Sequence, residues 1–268
     1  MRRALLIALA LFAALAGPAA AAPPATLTPG QLTVGLSMPS EGFQVGVVNG
    51  AGVIYARGFE IDLANALAQR LELPQAAFVQ SAFPTLLAPG AKTWDVALAE
   101  ITITQARARN VDFSVPYMRV DQGIMVSQYL RSEPRGVADL RKLRLCAQAG
   151  TTGADTIAKR VRPDRAATLF GDVSSMLLHL GLGRCDAVVY DLPALATLKA
   201  RAPQRYGDVV GLIRTRERYG AALPKGSALV GPVNAALTAM RQDGTISRLA
   251  KPWLELNLSG VRTFPTGS

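Results

Sequence analysis

The sequence contains one histidine, His179, and two cysteines. No group of His, Cys, Asp and Glu has metal-ligand spacing, so no metal site is expected. It also lacks a G-x-S-x-G elbow, a phosphate-binding P-loop and a dinucleotide fingerprint, which removes the enzyme classes that depend on those motifs. No cofactor is expected. The six methionines and two tryptophans form no periodic stripe, and Trp94 and Trp253 are assigned to the core. There is no long charge run and no low-complexity tract, so order is expected except at the ends. Past the N-terminal region no segment offers about 18 uninterrupted apolar residues, so a soluble mature chain is expected.

What is present points to export. Arg2 and Arg3 precede an apolar stretch from Ala4 to Ala16, which Gly17-Pro18 ends. That stretch is too short to span a membrane, and its flanks are those of a signal peptide. Ala19 and Ala21 supply an A-x-A cleavage pattern, so residues 1–21 are expected to be removed and the mature protein to be periplasmic. Loss of Arg2 and Arg3 lowers the formal charge of +10 to +8. The basic residues are scattered. Their densest cluster, Arg131, Arg135, Arg141, Lys142 and Arg144, has no interleaved aromatics, and with export this argues against a nucleic-acid partner. In an oxidising compartment Cys146 and Cys185 are a disulfide candidate, with two buried thiols as the alternative.

With 268 residues, half of them hydrophobic, the chain suits one large domain or two small ones. Leu32–Leu36 reads as a strand. Residues 37–57 read as a long glycine-bearing loop, with a possible strand at Val45–Val48. From Phe59 apolar residues recur at 59, 61, 63, 64, 67, 68 and 71, which is helical spacing, and Pro74 closes the run. Strands at Ala76–Gln80 and Trp94–Ile103 flank a short helix at Phe83–Ala88. The alternation then restarts, with strands at Leu143–Ala147, Ala167–Phe170 and Cys185–Tyr190. Helices are expected near 153–161, 173–182 and 192–201. Strands near 209–213 and 219–223 and helices at 230–242 and 245–254 finish the pattern. Two α/β units of similar length predict two lobes, each with a mostly parallel sheet flanked by helices and a cleft between them. Ligands of open α/β sheets bind beyond the carboxyl ends of strands, which directs attention to the loops after Ala99, Ala147 and Tyr190.

Those loops hold candidates for binding a zwitterion. Thr102, Thr104 and Arg107 lie within six residues, and an Arg guanidinium can take a carboxylate in a bidentate pair. A structural ion pair of Arg107 with Glu100 or Asp112 is the alternative. Gly150-Thr151-Thr152 stands between a strand and a helix, where free N–H groups attract anions, or where Thr serves as an ordinary N-cap. Asp191 ends a strand and can hold an ammonium group or cap the next helix. His179 is assigned to a helix face.

Taken together, these features resemble the periplasmic polar amino-acid-binding proteins of ABC transporters, within the bacterial extracellular solute-binding family. The resemblance runs from about Leu32 to Leu254. It rests on RGFEIDLANALAQRL (57–71), WDVALAEITITQARARNVDFSVPY (94–117), LCAQAGTTGAD (145–155), GRCDAVVYD (183–191), YGAALPKG (219–226) and NAALTAMRQDGTISRLAKPWL (234–254). The second segment is the most specific. The resemblance implies a type II two-lobed fold with a two-strand hinge near 117–123 and 215–219. It gives lobe 1 as residues 27–117 plus 219–257, lobe 2 as 123–214, and a C-terminal tail at 258–268. It implies that Arg107, with the N–H groups of Thr102 and Thr152, clamps an α-carboxylate. The Thr102 hydroxyl, the carbonyl of residue 100 and Asp191 would hold the α-ammonium, and Phe83 would wall the side-chain pocket. Phe43, Thr151 and Glu100 complete the expected ligand-binding set. The resemblance further implies a Cys146–Cys185 disulfide, a membrane permease as partner, and a monomer.

The chain departs from that family where the pocket is lined. Ser37 stands at a usually acidic position, Ser40 at an often aromatic one, and Glu100 where Gly or Ser is usual. Glu100 has three readings: it pairs with a cationic ligand, it folds back on Arg107, or it faces away from the cleft. The leading function is capture of an amino acid or analogue without catalysis. A periplasmic sensor and a dehydratase-like enzyme that uses Glu100 are the rivals.

Overall fold

The structure, a computed structural model, describes residues 24–255, 258 and 260–266. The expected signal peptide lies outside these residues.

The first lobe is built on β1 (Gln31–Leu36), the hairpin β2 (Val45–Asn49) and β3 (Gly52–Arg57), and helix α1 (Phe59–Arg70). Strand β4 (Gln75–Gln80), the short α2 (Phe83–Leu86), β5 (Val96–Ala97) and β6 (Val111–Phe113) follow. The hairpin occupies what the sequence presented mostly as a loop. It turns at Gly50, whose φ of 62° suits glycine. The spacing read in α1 is the buried set: Phe59, Ile61, Leu63, Ala64, Leu67 and Ala68 are all buried. Gly58 begins that helix at φ 131°, and a Cβ there would lie 2.3 Å from the Phe43 carbonyl oxygen, so only glycine lets the two segments approach.

Strand β7 (Met118–Val126) leaves this lobe for the second one. There α3 (Val137–Leu140), β8 (Leu145–Gln148) and α4 (Thr152–Thr156) precede a π-helical turn at Ile157–Val161. Next come β9 (Thr168–Phe170), α5 (Val173–Gly181), β10 (Ala187–Asp191) and α6 (Leu192–Arg201). The chain returns through β11 (Val209–Tyr219) to β12 (Ala222–Pro224), α7 (Val230–Gln242) and α8 (Thr245–Ala250).

The two sheets have the orders β2-β3-β4-β1-β5-β12-β6 and β11-β7-β10-β8-β9. Their centres are parallel, with β4, β1 and β5 in one and β9, β8 and β10 in the other. The flanking pairs are antiparallel, so each sheet is mixed. Every residue of β10 is buried, which its unbroken AVVY run anticipates for a strand covered on both faces.

Strands β7 and β11 pair antiparallel from one lobe to the other, with a register shift between Ile213 and Glu217. They are the two-strand hinge. The sequence suggested a strand near 209–213 and another near 219–223, whereas β11 runs on to Tyr219 through Arg214-Thr215-Arg216-Glu217-Arg218, which carries no apolar alternation. Beyond α8 the chain crosses back to the second lobe. Leu212 N–H donates to the Arg262 carbonyl at 2.8 Å, and Phe264 N–H donates to Leu212 at 2.7 Å. Phe264 is buried there beside Ile124, Val126 and Ile213, so part of the expected tail belongs to the core. Cys146 and Cys185 form a disulfide with a Cα separation of 6.0 Å, tying β8 to the segment before β10.

Candidate functional site

A small, nearly filled cavity lies where the two lobes meet. Phe83, Ala99, Glu100, Thr102 and Arg107 line it from the first lobe. Gln148, Thr151, Thr152, Tyr190 and Asp191 line it from the second. These are the strand ends and helix starts that the alternation of elements singled out. Seven of the eight expected ligand-binding residues therefore share one cavity. Phe43, the eighth, is wholly buried with its ring against Phe59 and Tyr219 and does not line it.

Arg107 opens a 3-10 turn, Arg107–Arg109, whose first N–H donates to Thr104 Oγ1 at 3.2 Å. Its guanidinium lies 5.1 Å above the Phe83 ring. It donates to the Thr102 carbonyl at 2.8 Å and, across the cleft, to the Gly150 carbonyl at 3.1 Å. Neither structural ion pair allowed by the sequence forms: Asp112 pairs with Lys225 at 2.7 Å. Burial lowers the Arg107 pKa, opposed by the charges of Asp191 and Glu217, yet a guanidinium remains protonated.

Thr151 is the N-cap of α4. Its hydroxyl accepts from Ala154 N–H at 3.3 Å and donates to the Gln148 carbonyl at 2.7 Å. Thr152, the first residue of that helix, points its hydroxyl at Glu217 Oε2, 2.6 Å away. Asp191 precedes α6 but makes no side-chain cap. Instead it accepts from the Tyr219 hydroxyl at 2.6 Å and from Gln122 Nε2. Burial, with the Glu217 charge as second cause, raises its pKa to about 7.

Glu100 has φ of 53°, in the left-handed region that favours glycine. That accounts physically for a position where the resembling family usually places Gly or Ser, and it means that this glutamate is held against backbone strain. The residue is 5% exposed, and its Oε2 has no hydrogen-bond partner among the described residues. Its pKa is raised well above the usual carboxylate range by burial first, then by the charges of Glu60 and Asp191.

The sequence reading missed the layer beneath these residues. Glu60, wholly buried, accepts from Glu100 N–H at 2.8 Å, from Gln44 Nε2 at 2.9 Å and from the Tyr117 hydroxyl. Burial raises its pKa to about 7. One signal was available: Glu60 falls on the same helical stripe as Ala64, Leu67 and Leu71, a carboxylate among core positions. Gln122 and Glu217 had no such local signal. Among the described residues two acids, Glu100 and Asp191, line the cavity with one guanidinium, that of Arg107, and a third acid, Glu60, lies beneath Glu100. Such a site suits a ligand with one carboxylate and surplus positive charge. His179, as expected, sits on a helix face, against Phe170.

Residues 32–256 match the family model of bacterial extracellular solute-binding proteins, family 3. The chain is 27% identical over 210 residues to the ABC transporter arginine-binding protein 1 of Escherichia coli (strain K12), covering 73% of this chain and 81% of that one. It is 29% identical over 204 residues to an ABC transporter glutamine-binding protein of Bacillus subtilis (strain 168), covering 74% and 72%. Among solved structures, an ancestral arginine-binding protein bound to arginine aligns with a TM-score of 0.73 and 32% identity, covering 84% of this chain and 98% of that one.

Proposed function

Because the chain belongs to the bacterial extracellular solute-binding proteins, family 3, we propose that it captures an amino acid with a cationic side chain in the periplasm and delivers it to an ABC-transporter permease. The observation that carries the side-chain choice is Glu100. It is a buried carboxyl on the cavity wall with an oxygen unpartnered among the described residues, in a cavity lined by two acids and one guanidinium. A buried polar atom without a partner is costly, and a ligand ammonium or guanidinium would satisfy it. Arginine-binding relatives support the same reading.

In this scheme Arg107 and the N–H groups of Thr102 and Thr152 take the α-carboxylate. Asp191 takes the α-ammonium, Phe83 covers the aliphatic stem, and Glu100 meets the cationic end. Both lobes contribute, so binding favours closure about residues 117–123 and 215–219, without turnover and in a monomer.

The test is thermal unfolding of the mature protein, refolded to remove bound ligand, against arginine, lysine, glutamine, glutamate and alkylamines. Mass action gives about 2.7 kcal/mol of stabilisation at a hundredfold excess over Kd. The expected result is a shift with arginine or lysine that Arg107→Ala abolishes and Glu100→Gln reduces while sparing neutral amino acids. A shift with glutamine alone, unchanged in Glu100→Gln, overturns the side-chain assignment.

A further inference from the structure

We propose that Glu217, on hinge strand β11, is the positioning residue that fastens the two halves of the ligand site to each other. A single oxygen, Oε2, accepts from Thr102 Oγ1 at 2.7 Å and from Thr152 Oγ1 at 2.6 Å. Thr102 belongs to the first lobe and Thr152 to the second, so one carboxylate from the hinge joins both across the cleft. Gln122, from the other hinge strand, adds donations to Glu217 at 3.3 and 3.4 Å. Glu217 is half-buried between the exposed Arg216 and Arg218, and its carboxylate reaches the two threonines at the cleft.

Thr102 and Thr152 line both the enclosed cavity and an open groove beside β11, whereas Glu217 lines only the groove. The bonded carboxylate is therefore a partition on the hinge side of the ligand space. By taking both hydroxyls it also fixes the rotamers of the two residues whose N–H groups are assigned to the ligand carboxylate. Charge-assisted bonds of this kind are roughly twice as strong as neutral ones. The inference deepens the proposed binding function and rests on it for the ligand.

The experiment pairs affinity with lobe geometry. Labels placed through non-natural residues at Glu72 and Lys142, one on each lobe, report the inter-lobe distance with and without arginine. If Glu217 fastens the site, Glu217→Ala moves the ligand-free distance toward longer values and weakens arginine binding about tenfold or more. Glu217→Gln, which keeps an acceptor, recovers part of both effects. Thr152→Val weakens binding in the wild-type background but adds nothing to Glu217→Ala, a coupling that a general folding defect would not produce. An unchanged distance in Glu217→Ala, or additive effects of the two substitutions, overturns the inference. Failure of every α-amino acid to bind would refute the ligand assignment alone, because the ligand-free distance still tests the fastening.

Discussion

The backbone N–H of Glu100 donates to Glu60 Oε1 at 2.8 Å, which makes these two buried acids one hydrogen-bonded unit at the floor of the cleft. Their charges oppose each other, and burial raises both pKa values, that of Glu60 to about 7. A cation arriving beside Glu100 favours its ionised form. Binding of arginine or lysine should therefore release protons near neutral pH, and affinity should rise from pH 5 to pH 8. Calorimetry in buffers of different ionisation enthalpy reads that release directly. Glu100→Gln should reduce it and flatten the pH dependence.

The same groups set the stability of the ligand-free protein. Asp191 and Glu60 both have folded pKa values of about 7, above their unfolded values near 4. For an acid shifted upward, the folded state holds the extra proton. The stabilisation is complete below the unfolded pKa and is lost as pH rises through about 7. Thermal midpoints should therefore fall between pH 5 and pH 8. Asp191→Asn, which is neutral at every pH, should show a shallower fall. A midpoint that rises over this range would contradict the assignment.

Glu100→Gly removes both costs found at this position, the left-handed backbone strain of a non-glycine residue and the burial of an acid. The strain alone is worth about 1 kcal/mol. The variant should melt higher than wild type while losing affinity for cationic amino acids, a trade expected where function maintains strain. Urea unfolding and ligand titration on the same preparation decide it.

How much of this was legible in the sequence varies with the range of the interactions. Helices α6 and α7 fall where their apolar spacing put them, because each packs a stripe set by neighbouring residues. Thr102, Arg107 and Asp191 were legible as candidates because they lie at or just beyond the ends of strands in two repeated α/β units. Glu217 was not, for it lies between two arginines in a polar stretch, and its partners are 65 and 115 residues away in the chain. Gln122 likewise acquires its role only when β7 and β11 pair. The conformation of Glu100 was hidden as well, since nothing in the residues around it announces a positive φ.

The disulfide closes a segment with a sequence separation of 39 residues. On the chain-entropy account, a loop of that length is worth about 4 kcal/mol through the unfolded state. Both cysteines are buried in the core, so the comparison is best made with Cys146→Ala/Cys185→Ala. That variant should lose about 2–4 kcal/mol of stability in urea. A reducing agent should destabilise the wild-type protein by a similar amount and leave the double variant unchanged.

Phe264 carries a prediction about the end of the chain. Its ring is buried on Gly211 of β11, where an added Cβ would lie 2.5 Å from Cε1. Phe264→Ala should cost about 3–5 kcal/mol, the range for emptying an aromatic site in a core. Gly211→Ala should also destabilise, because its methyl group collides with the ring. In the double variant the new methyl enters space that the ring has vacated. The two losses should therefore sum to more than the measured loss of the double variant, with the difference read as a coupling energy in urea unfolding. Additive losses would mean that Phe264 and Gly211 do not pack against each other in solution, and that the return of the chain to the second lobe does not depend on this contact.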